Sequence, residues 1–107
     1  MRGSRSGRPI MAALDLLGRR WTLRILWELR EERLGFRALQ ERCGKVSPTI
    51  ISRRTRELRE SAILDVDGDG RYGFTRLGRE LLEVLAALNA WARKWDAKLN
   101  GRARPAR

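Results

Sequence analysis

The stretch Ser47–Ala62, SPTIISRRTRELRESA, constrains this chain more than any other. Ser47 can accept a backbone N–H as an N-cap, and Pro48 suits the first helical position, where a missing N–H costs nothing. Ile51, Thr55, Leu58 and Ala62 recur at i, i+4, i+7 and i+11. They predict a mostly apolar stripe along a helix of about 16 residues, roughly 24 Å long. Thr49, Ser52, Arg53 and Arg56 fall on the opposite face, and the acids Glu57 and Glu60 come only in the second half. A surface helix charged for solubility is the plain reading, but such a helix more often mixes both signs along its length. A cationic, hydroxyl-bearing N-terminal half is what a helix entering a DNA major groove presents.

The flanking residues extend that reading. A short helix near Arg37–Cys43, with Leu39 facing in, is followed by the turn Gly44-Lys45-Val46 and then by the basic helix, which is a helix-turn-helix pattern. Residues 36–62 hold seven Lys/Arg and three Glu, a balance of +4, so the basicity is not confined to the ends of the chain. Upstream, Pro9–Leu17 reads as a helix with Ile10, Ala13, Leu14 and Leu17 on one face and Gly18 at its end. Trp21–Glu32 reads as a second helix. Its stripe is Thr22, Ile25, Leu26 and Leu29, and Trp21, Leu23 and Trp27 lie off it. A helix apolar on several sides is central to a small domain. The tryptophans are read as core or interface rather than as a base-stacking platform. Leu34-Gly35-Phe36 breaks the pattern and can lie extended.

Downstream, Ile63–Asp67 and Arg71–Phe74 alternate around Gly68-Asp69-Gly70, the signature of a β-hairpin. A hairpin directly after such a helix is the wing of a winged helix, and Arg71 is its one clear cation. Thr75 can cap a last helix from about Arg76 to Leu99. Its stripe is Leu77, Leu81, Val84, Leu85, Leu88, Trp91, Ala92 and Trp95, widened by Leu82 and Ala86. At roughly 36 Å this helix outruns what so small a domain can cover, so its surplus apolar face calls for a second chain. A purely intramolecular helix is the alternative. Leu14, Leu81, Leu85, Leu88, Trp91 and Trp95 are the predicted dimerisation residues.

The expected fold is therefore mainly α with a small β-hairpin wing: a winged helix-turn-helix dimerising through its N- and C-terminal helices. Residues 1–8 are expected to be a flexible basic arm, either inert or adding phosphate contacts. Residues 9–100 form the DNA-binding domain, including the dimerisation helix at about 75–99, and residues 101–107 are a basic tail.

Composition narrows the function. The chain has 107 residues, 24 Lys/Arg against 13 Asp/Glu, and a net charge of +11. That excess favours a polyanionic partner, nucleic acid first and an anionic membrane surface second. No apolar run approaches the roughly 18 residues of a membrane span, no N-terminal pattern reads as a secretory signal, and one cysteine cannot form an internal disulfide. A cytoplasmic location is expected. The absence of histidine removes Cys–His and Ser–His pairs and most zinc sites. No enzyme activity, metal or cofactor is expected. Asp65–Gly70 matches the first half of an EF-hand loop, but position 12, which must supply a Glu, is Arg76. A tight hairpin turn is the better reading. Cys43 is read as a small buried hydrophobe. The sharper alternative is a redox thiol, activated by Arg42 and Lys45 if it were exposed.

Four segments together, LDLLGRRWTLRILWEL (14–29), GFRALQ (35–40), VSPTIISRRTRELRESAIL (46–64) and FTRLGRELLEVLAALNAWARKW (74–95), resemble the HxlR family of bacterial winged-helix transcription regulators. The Gly18-x-x-Trp21-Thr22 element and the Ser47-Pro48 opening carry the resemblance most specifically. It implies a homodimer built from the first and last helices, and binding to pseudo-palindromic operators through successive major grooves. It also implies that Thr49, Ser52, Arg53 and Arg56 face bases and phosphates, with Arg54 and Lys45 on the backbone. With Ser47 and Arg71 added, these are the predicted DNA-contacting residues. Two departures are visible. Family members usually carry a Cys-Pro pair before the first helix, where this chain has Arg8-Pro9, and the wing here is shorter and more acidic. The expected function is a sequence-specific double-stranded DNA-binding regulator whose effector the sequence does not name. The alternatives are a non-specific, chromatin-like DNA binder and a protein-interaction module.

Overall fold

A computed structural model describes residues 7–101. The expected arm, apart from residues 7 and 8, and the expected tail, apart from residue 101, lie outside the described residues. The elements run α1 (Pro9–Leu17), α2 (Thr22–Glu28), α3 (Phe36–Arg42), α4 (Pro48–Glu60), β1 (Leu64–Val66), β2 (Tyr72–Phe74) and α5 (Arg76–Gly101).

The core gathers around α2. Its stripe of Thr22, Ile25, Leu26 and Leu29 is buried against Leu39 of α3, Ile51 and Leu58 of α4, Leu64 and Phe74 of the hairpin, and Leu85 of α5. Trp21 and Trp27 pack half-buried on the edge of this cluster. The helix is shorter than the sequence predicts, starting after Trp21, which lies in the left-handed region at φ 77°, and closing at Leu29. Arg30, Glu31 and Glu32 offer no apolar side chain to hold a further turn on the core. Instead the Arg30 guanidinium donates back to the Trp27 carbonyl at 2.8 Å and lies over the Trp27 ring.

α1 docks by a face rotated from the predicted stripe and sharing Leu17 with it. Ala12 is buried and Leu16 and Leu17 pack on the core, while Ile10 and Leu14 are 60% and 56% exposed. Gly18 does end the helix, but in a right-handed conformation, its N–H donating to Leu14 O at 2.8 Å.

The helix-turn-helix is built as expected, with α3 beginning at Phe36. Gly44 and Lys45 both take positive φ, 79° and 61°, so the chain reverses in two residues. The Gln40 side-chain amide donates to Val46 O at 2.9 Å and pins the turn. Ser47 Oγ accepts from Ile50 N, Pro48 opens α4, and Ile51, Thr55 and Leu58 are buried. The Thr55 hydroxyl is satisfied by donating to Ile51 O at 2.8 Å. Ala62 departs from the predicted stripe. α4 stops at Glu60, and Ala62 is exposed at φ 64°. Ile63 N donates to Leu58 O and Ala62 N to Arg59 O, a Schellman closure that turns the chain into β1.

β1 and β2 pair antiparallel with Leu64 opposite Phe74 and Val66 opposite Tyr72. Leu34 is extended as expected and bridges to Tyr72, adding a third strand position. Arg33 straps the hairpin. It donates to Asp65 Oδ1 at 2.6 Å and Arg71 O at 3.1 Å, and it lies so close over Gly73 that a Cβ there would sit 2.7 Å from its side chain. Thr75 Oγ1 caps α5 by accepting from Gly78 N at 2.9 Å. Gly78 passes so close to the Ile63 carbonyl that a Cβ there would overlap it. Beyond Leu85, α5 leaves the core, and Leu88, Trp91, Trp95 and Leu99 are exposed. Trp91 and Trp95 stack with ring centroids 5.6 Å apart.

Candidate nucleic-acid interface

The exposed N-terminal half of α4 forms one wall of a shallow groove of about 410 Å³, whose lining is Phe36, Pro48, Thr49, Ser52, Arg53 and Arg56. The helical period puts the last four on one face, and the Ser47 cap and Pro48 fix where that face begins. Arg53 and Arg56 are exposed, and among the described residues neither has a hydrogen bond or ion-pair partner. Lys45 and Ser47 are exposed beside the start of the helix, the Ser47 hydroxyl being engaged as the cap. Two hydroxyls and two guanidiniums along one helix face can donate to phosphates, and arginine can donate in bidentate fashion to a guanine edge.

Two predicted contacts are spent within the fold. Arg54, expected at the DNA backbone, is half-buried. Its Nη1 donates to Glu57 Oε1 at 2.8 Å and its Nε to Arg20 O at 2.9 Å. Glu57 also receives Arg19 at 3.1 Å. Partial burial pushes the Glu57 carboxyl up, but hydrogen bonds and charge from Arg54 and Arg19 outweigh it and hold the group below its ordinary range. Arg54 therefore ties α4 to the α1–α2 loop. Arg71, expected to be the wing cation, is held by Asp67 Oδ2 at 3.1 Å and Asp69 Oδ2 at 3.2 Å. Asp67 Oδ1 accepts the backbone N–H groups of Asp69 and Arg71 at 2.9 Å each. The Arg71 N–H is the first cause, against slight desolvation, of a lowered Asp67 pKa. These bonds are those of a tight turn, and the wing tip carries two carboxylates against one guanidinium.

Cys43 is 1% exposed under α3, and desolvation, with Glu28 reinforcing and Arg24 opposing, pushes its thiol pKa up. A redox sensor uses a thiol with a lowered pKa, so this burial supports the packing reading of Cys43. Of the predicted dimerisation residues, Leu14, Leu88, Trp91 and Trp95 are exposed, Leu81 is half-buried, and Leu85 is committed to the chain's own core at 6% exposure. The sequence reading missed the Arg19–Glu57–Arg54 network. The i,i+3 spacing of Arg54 and Glu57 was its one local signal.

The sequence model of the HxlR-like helix-turn-helix family matches residues 16–100. The chain belongs to the HxlR family. A helix-turn-helix transcriptional regulator of Methanocaldococcus jannaschii is 30% identical over 95 residues, covering 83% of this chain and 88% of that one. Among solved structures, quinone-bound YodB from Bacillus subtilis superposes with a TM-score of 0.73 at 28% identity, covering 81% of this chain and 98% of YodB. An HxlR family factor from Thermoplasma volcanium gives 0.71 at 27%, covering 83% and 85%. This HxlR-family chain is thus a DNA-binding transcriptional regulator of the helix-turn-helix type with a winged-helix fold. No helix among its described residues is long and apolar enough to cross a membrane.

Proposed function

We propose that two copies pair through α1 and the distal part of α5 and set their α4 helices into successive major grooves of a pseudo-palindromic operator, in the cytoplasm and without metal or cofactor. The reading is carried by the pair Arg53 and Arg56, exposed, without an ion-pair partner among the described residues and flanked by Thr49 and Ser52. Exposed Ile10, Leu14, Leu88, Trp91 and Trp95 supply the apolar surface for the second chain. Lysines and arginines would contribute affinity by releasing counterions, and Arg53 and Arg56 would read guanine.

Selection of bound duplexes from a random pool, with sedimentation of the free chain, tests both halves. A recovered inverted repeat with half-sites about 34–36 Å apart and a sedimenting dimer are expected. At about 0.15 M salt the selected site should bind at least about a thousandfold more tightly than a scrambled one. Equal binding to both would assign the chain to non-specific DNA coating.

A further inference from the structure

α1, the C-terminal half of α4 and the first turns of α5 surround an open cavity of about 760 Å³, large enough for a drug-sized molecule. Its walls include Ala12, Leu16, Ile63, Leu77, Leu81 and Val84. Its charged groups are Asp15, Glu57, Glu60 and Glu80 against the single cation Arg19. In a chain of 24 cations and 13 acids, this concentration of carboxylates runs against the overall charge. An anion placed there would meet Asp15, Glu60 and Glu80, which have no ion pair among the described residues, while Glu57 is already paired with Arg19 and Arg54. A cation with an apolar body would find walls for the body and carboxylates for the charge.

We propose that this cavity binds an amphipathic organic cation, a quaternary ammonium or phosphonium with an apolar body, and that occupancy reaches α4 through Glu57. Glu57 faces the cavity and bonds both Arg19, at 3.1 Å, and Arg54, at 2.8 Å. Arg54 in turn holds Arg20 O. A cation at Glu57 competes with both arginines and loosens the tie between α4 and the α1–α2 loop. Neither step requires DNA, so the proposal and the operator reading fail separately.

Tetraphenylphosphonium and tetraphenylborate share shape and size and differ in sign. Calorimetric titration of the full chain is expected to give one phosphonium per chain, bound at least about tenfold more tightly than the borate. Diffuse attraction to a +11 chain would favour the borate instead. The double substitution Glu60→Gln/Glu80→Gln, at two exposed positions, is expected to weaken phosphonium binding on the order of tenfold with an unchanged melting temperature. Amide hydrogen exchange in α4 is expected to rise on phosphonium binding. Borate binding as tight as phosphonium, or an unchanged affinity in the double variant, overturns the site. Binding without any change in α4 exchange overturns the route through Glu57. No phosphonium binding by a chain that sediments as a dimer gives the cavity to the second copy and overturns the proposal.

Discussion

The N-terminal half of α4 and the tip of the wing are both exposed and both carry arginine, yet the fold treats their charges differently. Arg53 and Arg56 project with no ion-pair partner among the described residues, while Arg71 lies between Asp67 and Asp69. A cation contributes to DNA affinity by exchanging small counterions for phosphates. Arg71 must first leave two carboxylates, and those carboxylates stay beside any phosphate it reaches. Surface ion pairs are individually weak, about 0–1 kcal/mol, so Arg71 is not locked. The difference lies in the residual negative charge. On the proposed reading, the charge of a DNA-binding chain is spent locally, and an arginine the fold has already paired contributes less to recognition than an unpaired one.

The largest effect is expected at Arg53. Arg53→Ala should cost about 1–3 kcal/mol at the selected duplex, read by fluorescence anisotropy, and relax specificity at one base pair. An equal loss on scrambled DNA would reduce Arg53 to a phosphate contact and narrow its contrast with Arg71. Next comes Arg54, an arginine of α4 that behaves like the wing arginine. Arg54→Met should lower the urea midpoint by an amount equivalent to about 1–3 kcal/mol, since it leaves Glu57 short of a charged donor and Arg20 O without one. The salt dependence of DNA binding should not change. A fall in the salt slope of about one would return Arg54 to the DNA-contacting set.

The same tie has a pH signature. The folded Glu57 carboxyl lies below its ordinary value of 4.5. Its contribution to stability is thus fully present above that value and is lost as pH falls through the lower, folded one. Urea midpoints followed from pH 7 downward should therefore lose this contribution only in the acid range below about 4.5. Glu57→Gln should remove that limb, and Arg54→Met should shrink it, because the folded carboxyl then moves back towards its ordinary value. A limb unchanged by both substitutions would show that other carboxylates govern acid unfolding.

The order of the elements was legible because it rests on local signals: the period of Ile51, Thr55 and Leu58, the Ser47-Pro48 start, the Gly/Asp turn, and Thr75 before α5. What the period could not settle was which side of α1 docks. Pro9–Leu17 is apolar nearly all round, so Ala12 and Leu16 compete with Ile10 and Leu14, and the tertiary context chooses. Ala62 matched the α4 stripe by spacing, but a Schellman closure put an alanine in the left-handed region, where glycine would have marked the stop. The proposed DNA-facing set was legible as far as position on the helix goes. The pairing of Arg54 was not, because Arg20 O comes from 34 residues away and meets the guanidinium only in the fold. Arg71 was a different case. Its neighbours Asp67 and Asp69 were visible in the sequence, and the turn geometry that closes them around it was not.

The smallest effects test the wing directly. Asp67→Asn/Asp69→Asn removes both carboxylates, and Asn at 67 can still accept the turn N–H groups through Oδ1, so the hairpin should persist. The freed Arg71 should then raise the salt slope of DNA binding by about one and tighten binding modestly. Adding Arg71→Ala should cancel that gain, whereas Arg71→Ala alone should leave affinity and slope where they were. The two outcomes separate charge from placement. A gain that survives Arg71→Ala would come from relief of acid–phosphate repulsion alone, with the guanidinium never reaching the duplex. A slope lowered by about one in the single Arg71→Ala variant would mean that Arg71 already exchanges its aspartates for phosphate on DNA, which would rank the wing with α4 as a contacting element.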